Sequence, residues 1–113
     1  MLIVFLQTMN PARIQQLKEL LVDDPADSFC RYALALEYAS DPSSRKQAIE
    51  ELELLKKNDP NYLALYYQLG LLYYQEQQIN EAKEVLMEGL SLAKQQGNAH
   101  TYSELEFLLD DIE

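Results

Sequence analysis

The sequence predicts an all-α protein of about six helices, on the strength of three observations. Apolar residues recur at helical spacing in almost every stretch after residue 10. The interruptions, "MNP", "DDPADS", "SDPSS" and "NDPNY", consist of proline and polar residues that end and begin helices. The chain also repeats itself after about 35 residues. The predicted helices span residues 11–22, 27–39, 44–58, 61–76, 79–96 and 99–111.

The composition limits the class of protein and the class of partner. The chain has 113 residues, of which 48% are hydrophobic, and this predicts one globular domain with a modest core. Nineteen acidic residues against nine basic ones give a formal net charge of −10. Such a charge repels phosphate backbones and anionic membrane surfaces, so we expect neither nucleic acid nor membrane as a partner.

The first ten residues lack helical spacing. "MLIVFL" has no basic flank and no cleavage site of a signal peptide, and it is much shorter than the roughly 18 residues of a membrane span. Two interpretations stay open. Residues 2–6 dock on the helical domain, in the same chain or across a dimer, or translation begins at Met9, directly before Asn10 and Pro11.

Helix 11–22 follows the Asn10-Pro11 start signal. A shift of 35 residues places Ile14, Leu17 and Leu20 under Ile49, Leu52 and Leu55. We therefore interpret this helix as the second helix of a pair whose first helix is missing, and expect it to cap the domain.

The middle of the chain is an internal repeat. A shift of 35 residues superposes Asp24-Pro25 on Asp59-Pro60. The same shift superposes five residues of helix 27–39, namely Tyr32, Leu34, Ala35, Leu36 and Tyr38, on Tyr67, Leu69, Gly70, Leu71 and Tyr73. In the following helices a shift of 34 places Ala48, Glu50 and Leu52 on Ala82, Glu84 and Leu86, so the first unit has one additional residue near "SDPSS". We predict two helix pairs, at 28–62 and 63–96.

A helix pair of about 34 residues with these spacings resembles the tetratricopeptide repeat. Residues 63–96 match the pattern of that family at Tyr66, Leu69, Gly70, Tyr73, Ala82, Leu86 and Gly89, although Lys94 replaces the closing proline. Residues 28–62 match it at Leu34, Ala35, Tyr38, Ala48, Leu52 and Pro60. Two positions of that first unit depart from the pattern: Arg31 replaces an aromatic residue and Leu55 is larger than expected. The resemblance implies a right-handed solenoid of antiparallel helix pairs, with 11–22 and 97–113 as caps.

Glycine in the middle of a helix costs about 1 kcal/mol relative to alanine, so Gly70 and Gly89 predict close contacts between helices. Tyr66 and Tyr73 occupy repeat positions that predict the interior. Tyr67 and Tyr74 lie about 100° further round the helix and belong to a second stripe.

Helix 99–111 carries an apolar stripe of Tyr102, Leu105, Leu108 and Leu109 and is predicted to be a cap. Residues 97–113 include five acidic residues and no lysine or arginine. A solvated face is the simplest interpretation of this charge, and docking of a basic partner is the alternative.

Nothing in the sequence indicates chemistry. His100 is the single histidine, and motifs for zinc proteases, phosphate loops or nucleophile elbows are absent from the chain. Adjacent acids such as Asp110 and Asp111 diverge by about 100° on a helix. Cys30 has no cysteine partner, which indicates a reducing, cytoplasmic setting and a small apolar helix residue. We expect no catalytic residue, no cofactor and no metal site, and we do not expect an enzyme or its regulatory subunit.

The resemblance implies that the first helix of each unit lines a groove. The implied positions are Phe29, Tyr32, Leu36 and Ala39 in the first unit and Ala64, Tyr67, Leu71 and Tyr74 in the second. These residues are apolar or aromatic and include none of the lysine, arginine and asparagine residues with which chaperone-binding members hold a terminal carboxylate. The expected partner is therefore a protein or peptide with an apolar or amphipathic segment. The alternatives are a homodimer through the same face, or packing of this face against helix 99–111.

Overall fold

The computed structural model describes residues 9–113. Its helices are α1 (Pro11–Asp23), α2 (Ser28–Ala39), α3 (Arg45–Asn58), α4 (Ala64–Gln75), α5 (Ile79–Gln96) and α6 (Ala99–Ile112), and a single 3₁₀ turn, Pro42–Ser44, precedes α3. Within these described residues there is no strand, and the prediction of an all-α protein with six helices is confirmed. The hypothesis that residues 2–6 dock on the domain lies outside the described residues.

The chain divides into two compact units, one ending at Asp59 and the other spanning Pro60–Glu113. In the first unit, α2 packs against α3 and α1 packs against α2. In the second unit, α5 packs against both α4 and α6, and α4 also contacts α6. Each unit thus contains a helix pair together with one further helix.

Side-chain caps explain where three of the helices begin. The side chain of Asn10 accepts a hydrogen bond from the backbone N–H of Arg13 at 3.2 Å, and Asn98 accepts one from Thr101 at 3.0 Å. Asp27 does the same for α2. These bonds satisfy N–H groups that the first turn of a helix leaves without a backbone acceptor.

Helix α4 begins three residues later than the sequence predicts, at Ala64 instead of residue 61. The N–H groups of Leu65 and Tyr66 donate to the carbonyls three residues earlier, at Tyr62 and Leu63. Bonds of this spacing form tight turns, so the segment after Pro60 is a turn that leads into the helix.

In the first unit, α2 and α3 supply the centre of the core. The buried apolar residues are Leu21, Cys30, Leu34, Ala35, Ala48, Leu52 and Leu55. Leu20, which the repeat alignment places on Leu55, is 52% exposed, whereas Leu55 is 1% exposed. Helix α1 packs mainly on one neighbour, α2. It therefore buries a single stripe of Ile14, Leu17 and Leu21, and Leu20 lies beside this stripe, about 100° round the helix from Leu21.

In the second unit, two glycines allow close contact between helices. A methyl group at Gly70 would lie 2.5 Å from Cδ2 of Leu86, and one at Gly89 would lie 2.7 Å from Cβ of Tyr66. Both distances are well below van der Waals contact. The prediction that these glycines serve packing is confirmed.

Arg31 and Tyr66, which occupy the same repeat position, bond the equivalent backbone carbonyl in their two units. The Tyr66 hydroxyl donates to the Pro60 carbonyl at 2.6 Å, and the Arg31 guanidinium donates to the Pro25 carbonyl at 3.0 Å. Arg31 also forms an ion pair of 2.8 Å with Glu51. Arginine therefore replaces the aromatic residue without loss of this hydrogen bond.

Cys30 is 8% exposed, as expected for a small residue on the inner side of a helix. Its Sγ donates to Oδ2 of Asp27 at 3.2 Å. This hydrogen bond, together with burial, raises the pKa of the thiol above its ordinary value. The pKa of Asp27 is lowered from its ordinary value of 3.8, mainly because its carboxylate accepts a hydrogen bond from the backbone N–H of Cys30. The ionised Asp27 therefore stabilises the fold above that pH, and the stabilisation is lost as the pH falls through the folded pKa.

We expect Asp27→Asn to make the thiol of Cys30 react faster with iodoacetamide. The substitution keeps a cap oxygen but removes the negative charge beside Sγ, so the pKa of the thiol falls and its pH profile of alkylation moves to lower pH. Asp41→Asn is the matched control, because Asp41 caps the 3₁₀ turn through the N–H of Ser43. Identical profiles for Asp27→Asn and the natural chain would contradict the expectation.

Candidate interaction surfaces

The predicted groove residues of the first unit lie along one side of α2. Phe29, Tyr32 and Leu36 are spaced three and four residues apart, which places them on one helix face. Phe29 is 70% exposed, Leu36 is 37% exposed and Tyr32 is half-buried. We call these three residues the α2 face. Ala39, further along the helix, is half-buried.

The predicted groove residues of the second unit lie along one side of α4. Tyr67, Leu71 and Tyr74 are all half-buried, and we call them the α4 face. Ala64, at the start of the helix, is exposed.

The neighbouring tyrosine stripe of α4 is only partly interior. Tyr66 is 4% exposed, as predicted, whereas Tyr73 is half-buried, although its repeat position predicts the interior. Leu65, Leu69 and Leu72, each at most 2% exposed, also lie on the inner side of the helix. Tyr73 lies between Leu69 and Tyr66 round the helix, so it belongs to this side but is less buried than they are.

Tyr67 borders a surface depression of about 570 Å³ that runs along α6. The other residues that line it are Glu104, Phe107, Leu108, Asp110 and Asp111. Of the apolar residues that line it, Leu108 is 9% exposed and Phe107 is 81% exposed. The depression thus combines aromatic surface with three carboxylates, and we call it the α6 depression.

The sequence correctly predicts the apolar side of α6. Leu105 and Leu108 are buried, and Tyr102 and Leu109 are half-buried, so the apolar stripe is confirmed. Phe107 was not identified as a surface residue. The signal was present, because Phe107 falls between two buried positions of the helix, next to Glu106 on the acidic side.

Two other features of the described residues bear on function. His100 lies at the surface with a side chain that is 86% exposed, and its Nε2 lies 3.4 Å from Oε2 of Glu104. No helix between residues 9 and 113 is both long and apolar enough to cross a membrane.

No family model and no curated protein matches the chain. Among solved structures, the chain is similar to a tetratricopeptide repeat domain protein from Salinibacter ruber. Its solution structure is 33% identical, with 80% of this chain and 90% of that chain covered and a TM-score of 0.74. Its crystal structure is 31% identical, with 76% and 94% covered and a TM-score of 0.71.

A protein from Bordetella parapertussis shares the fold at 21% identity, with a TM-score of 0.77 over 88% of this chain and 85% of that one. The Salinibacter domain shares sequence as well as fold over nearly its whole length. Together with the Leu69-Gly70 signature and the glycine contacts, this similarity confirms the resemblance that the repeat pattern predicts. The chain belongs to the tetratricopeptide repeat family.

Proposed function

We propose that the protein is a non-enzymatic module that binds an apolar or amphipathic peptide segment of another protein through the α2 face and the α4 face. Domains of this family are in general protein–protein interaction modules. The observation that carries the proposal is the exposure of large apolar side chains on α2, the first helix of the first predicted pair; the equivalent residues of α4 are half-buried. Phe29 is 70% exposed and Leu36 is 37% exposed, while Leu34 on the same helix is 2% exposed.

The side chains of both faces suit this role because they are held by rigid helices. Tyrosine and phenylalanine bury a large area on binding and lose few rotamers. The helices that carry them are already formed, so binding requires little ordering of the chain. Neither face contains a charged residue, which favours an apolar or amphipathic segment over a terminal carboxylate.

The repeat boundaries at 28–62 and 63–96, with caps at 11–22 and 97–113, form part of this proposal. The equivalent hydrogen bonds of Arg31 to Pro25 and of Tyr66 to Pro60 support the register of the two units. In this register the first helix of the first pair, α2, corresponds to the first helix of the second pair, α4. Tyr32 on α2 therefore corresponds to Tyr67 on α4.

We expect Tyr67→Glu together with Tyr74→Glu to remove the binding of partners that the natural chain captures. Two carboxylates on this face add charge that an apolar segment cannot pair, so desolvation opposes binding. The matched control is Leu54→Glu with Met87→Glu, since these side chains are 40% and 59% exposed and lie on α3 and α5. The measurement is affinity capture with identification of the prey, followed by titration of the purified prey against all three chains.

A prey that binds the face variant as tightly as the control variant would contradict the proposal. Circular dichroism of both variants establishes that loss of binding does not reflect loss of folding. Self-association through the same face is the competing interpretation. It predicts a molar mass in light scattering that rises with concentration and falls to that of one chain in the Tyr67→Glu/Tyr74→Glu variant.

A further inference from the structure

We infer that the α6 depression selects a basic amphipathic peptide. In this arrangement, apolar side chains of the peptide pack on Tyr67 and Phe107 while a lysine or arginine lies among Glu104, Asp110 and Asp111. The inference rests on the proposed function, because Tyr67 belongs to the α4 face, and it adds the chemistry of the partner.

Apolar surface is available in the depression. Phe107 is 81% exposed, the largest exposed fraction among the large apolar side chains of the described residues. A volume of about 570 Å³ falls within the range of about 300–1,000 Å³ that is usual for ligand sites. Tyr67 and Leu108 complete the apolar part of the lining. A peptide side chain in the depression can therefore contact aromatic and aliphatic atoms as well as the carboxylates.

The charge around the depression is of one sign. Three of its six lining residues are acidic and none is basic. No lysine or arginine follows Lys94 in the chain, and the net charge of −10 attracts cations over a longer range. At the rim, Nε2 of His100 lies 3.4 Å from Oε2 of Glu104. Charge complementarity thus favours a basic segment over an acidic or neutral one.

Lysine and arginine also suit the aromatic groups. A cation within about 6 Å of an aromatic ring face is attracted by the ring quadrupole. Phe107 and Tyr67 border the same depression as the carboxylates. The long apolar stem of a lysine or arginine can pack on a ring while its charged end reaches an acid. A second copy of the chain is a weaker candidate, because two chains of charge −10 repel each other.

The experiment compares two synthetic amphipathic peptides with the same leucine face, one with lysine and one with glutamate on the other face. Binding to the full chain is followed by NMR of the isotope-labelled protein. We expect the lysine peptide to shift the amide signals of Tyr67, Phe107 and Asp110. We expect the glutamate peptide to bind at least about tenfold more weakly, since like charges oppose it.

Asp110→Asn with Asp111→Asn tests the local contribution of the acids. These residues lie at the exposed C-terminal end of α6, where removal of negative charge does not oppose the helix dipole. We expect about tenfold weaker binding of the lysine peptide by this variant. Glu50→Gln with Glu84→Gln changes the net charge equally at exposed sites on α3 and α5, so we expect a loss of about twofold at most.

The outcomes distinguish the two proposals. Equal affinity for both peptides, with shifts on the α4 face, overturns the basic selectivity and leaves the proposed function standing. An equal loss of affinity for the lysine peptide in the Asp110/Asp111 and Glu50/Glu84 variants also overturns the basic selectivity of the depression, because attraction to the net charge then explains the binding. The absence of shifts with either peptide contradicts the proposed function of the α4 face itself. Signals that move with protein concentration alone, and that no peptide displaces, assign the depression to a second copy and overturn the inference.

Discussion

Replacement of Gly89 by alanine is expected to lower the free energy of unfolding by up to about 2 kcal/mol, although alanine is the better helix former. Helix propensity alone favours the substitution by about 1 kcal/mol. Against this, the new methyl group would lie 2.7 Å from Cβ of Tyr66 and 3.1 Å from Cδ1 of Leu105. Because Cβ of Tyr66 is fixed by the backbone of α4, the helices must separate, and overpacking of this kind costs about 1–3 kcal/mol. We expect Gly89→Val to cost more, since it adds two further methyl groups at the same contact.

Urea denaturation followed by circular dichroism measures these changes. Ser91→Ala is the matched control, because it introduces alanine at an exposed position of α5 and should change the stability by only a few tenths of a kcal/mol. A Gly89→Ala variant at least as stable as the natural chain would show that α4 and α5 do not approach each other as closely as the structure has them.

Leu86→Ala is expected to cost about 2–5 kcal/mol, the largest loss we anticipate for a single substitution in the second unit. Leu86 is fully buried, so truncation removes its transfer free energy and leaves a cavity. Gly70→Ala alone should also destabilise the chain, because its methyl group would lie 2.5 Å from Cδ2 and 2.7 Å from Cγ of Leu86. In the double variant, the methyl group at residue 70 occupies space that the leucine has vacated.

A double-mutant cycle therefore predicts that the two losses do not add. We expect the combined variant to be more stable than the sum of the single changes by about 1–2 kcal/mol, within the range found for residues in contact. Gly70→Ala with Leu65→Ala serves as the control cycle, because residues 65 and 70 point about 140° apart on α4. Additive losses in the Gly70 and Leu86 cycle would contradict the contact.

Local chemistry made most of the fold predictable from sequence. Pro11 marks the start of α1, and Gly97, with φ of 68°, ends α5 in the left-handed conformation that glycine adopts easily. Gly70 and Gly89 indicated helix contacts because a mid-helix glycine is otherwise unfavourable. The start of α4 was less predictable, since the turn after Pro60 depends on hydrogen bonds three residues apart that resemble the beginning of a helix.

Burial at the ends of the domain was harder to predict, because it depends on the number of neighbours a helix has. Leu20 matches Leu55 in the repeat alignment, but α1 packs mainly on α2 and buries Leu21 instead. Phe107 lies about 160° round α6 from Leu105 of the predicted stripe, so its surface position follows from helical spacing, although the stripe alone does not name it. The groove residues came from the pattern of the family, which specifies helix positions and says little about the acidic residues beside Tyr67.

Arg31 and Tyr66 donate hydrogen bonds to equivalent carbonyls, but dissolved salt is expected to affect the two bonds differently. In the first unit the donor is a charged guanidinium that is also paired with Glu51, and dissolved salt weakens such a pair to the extent that it reaches solvent. In the second unit the donor is a neutral phenol, and its bond to Pro60 involves no net charge. We therefore expect dissolved salt to weaken the bond of Arg31 more than that of Tyr66, and hydrogen exchange at the start of α2 and of α4 can compare the two.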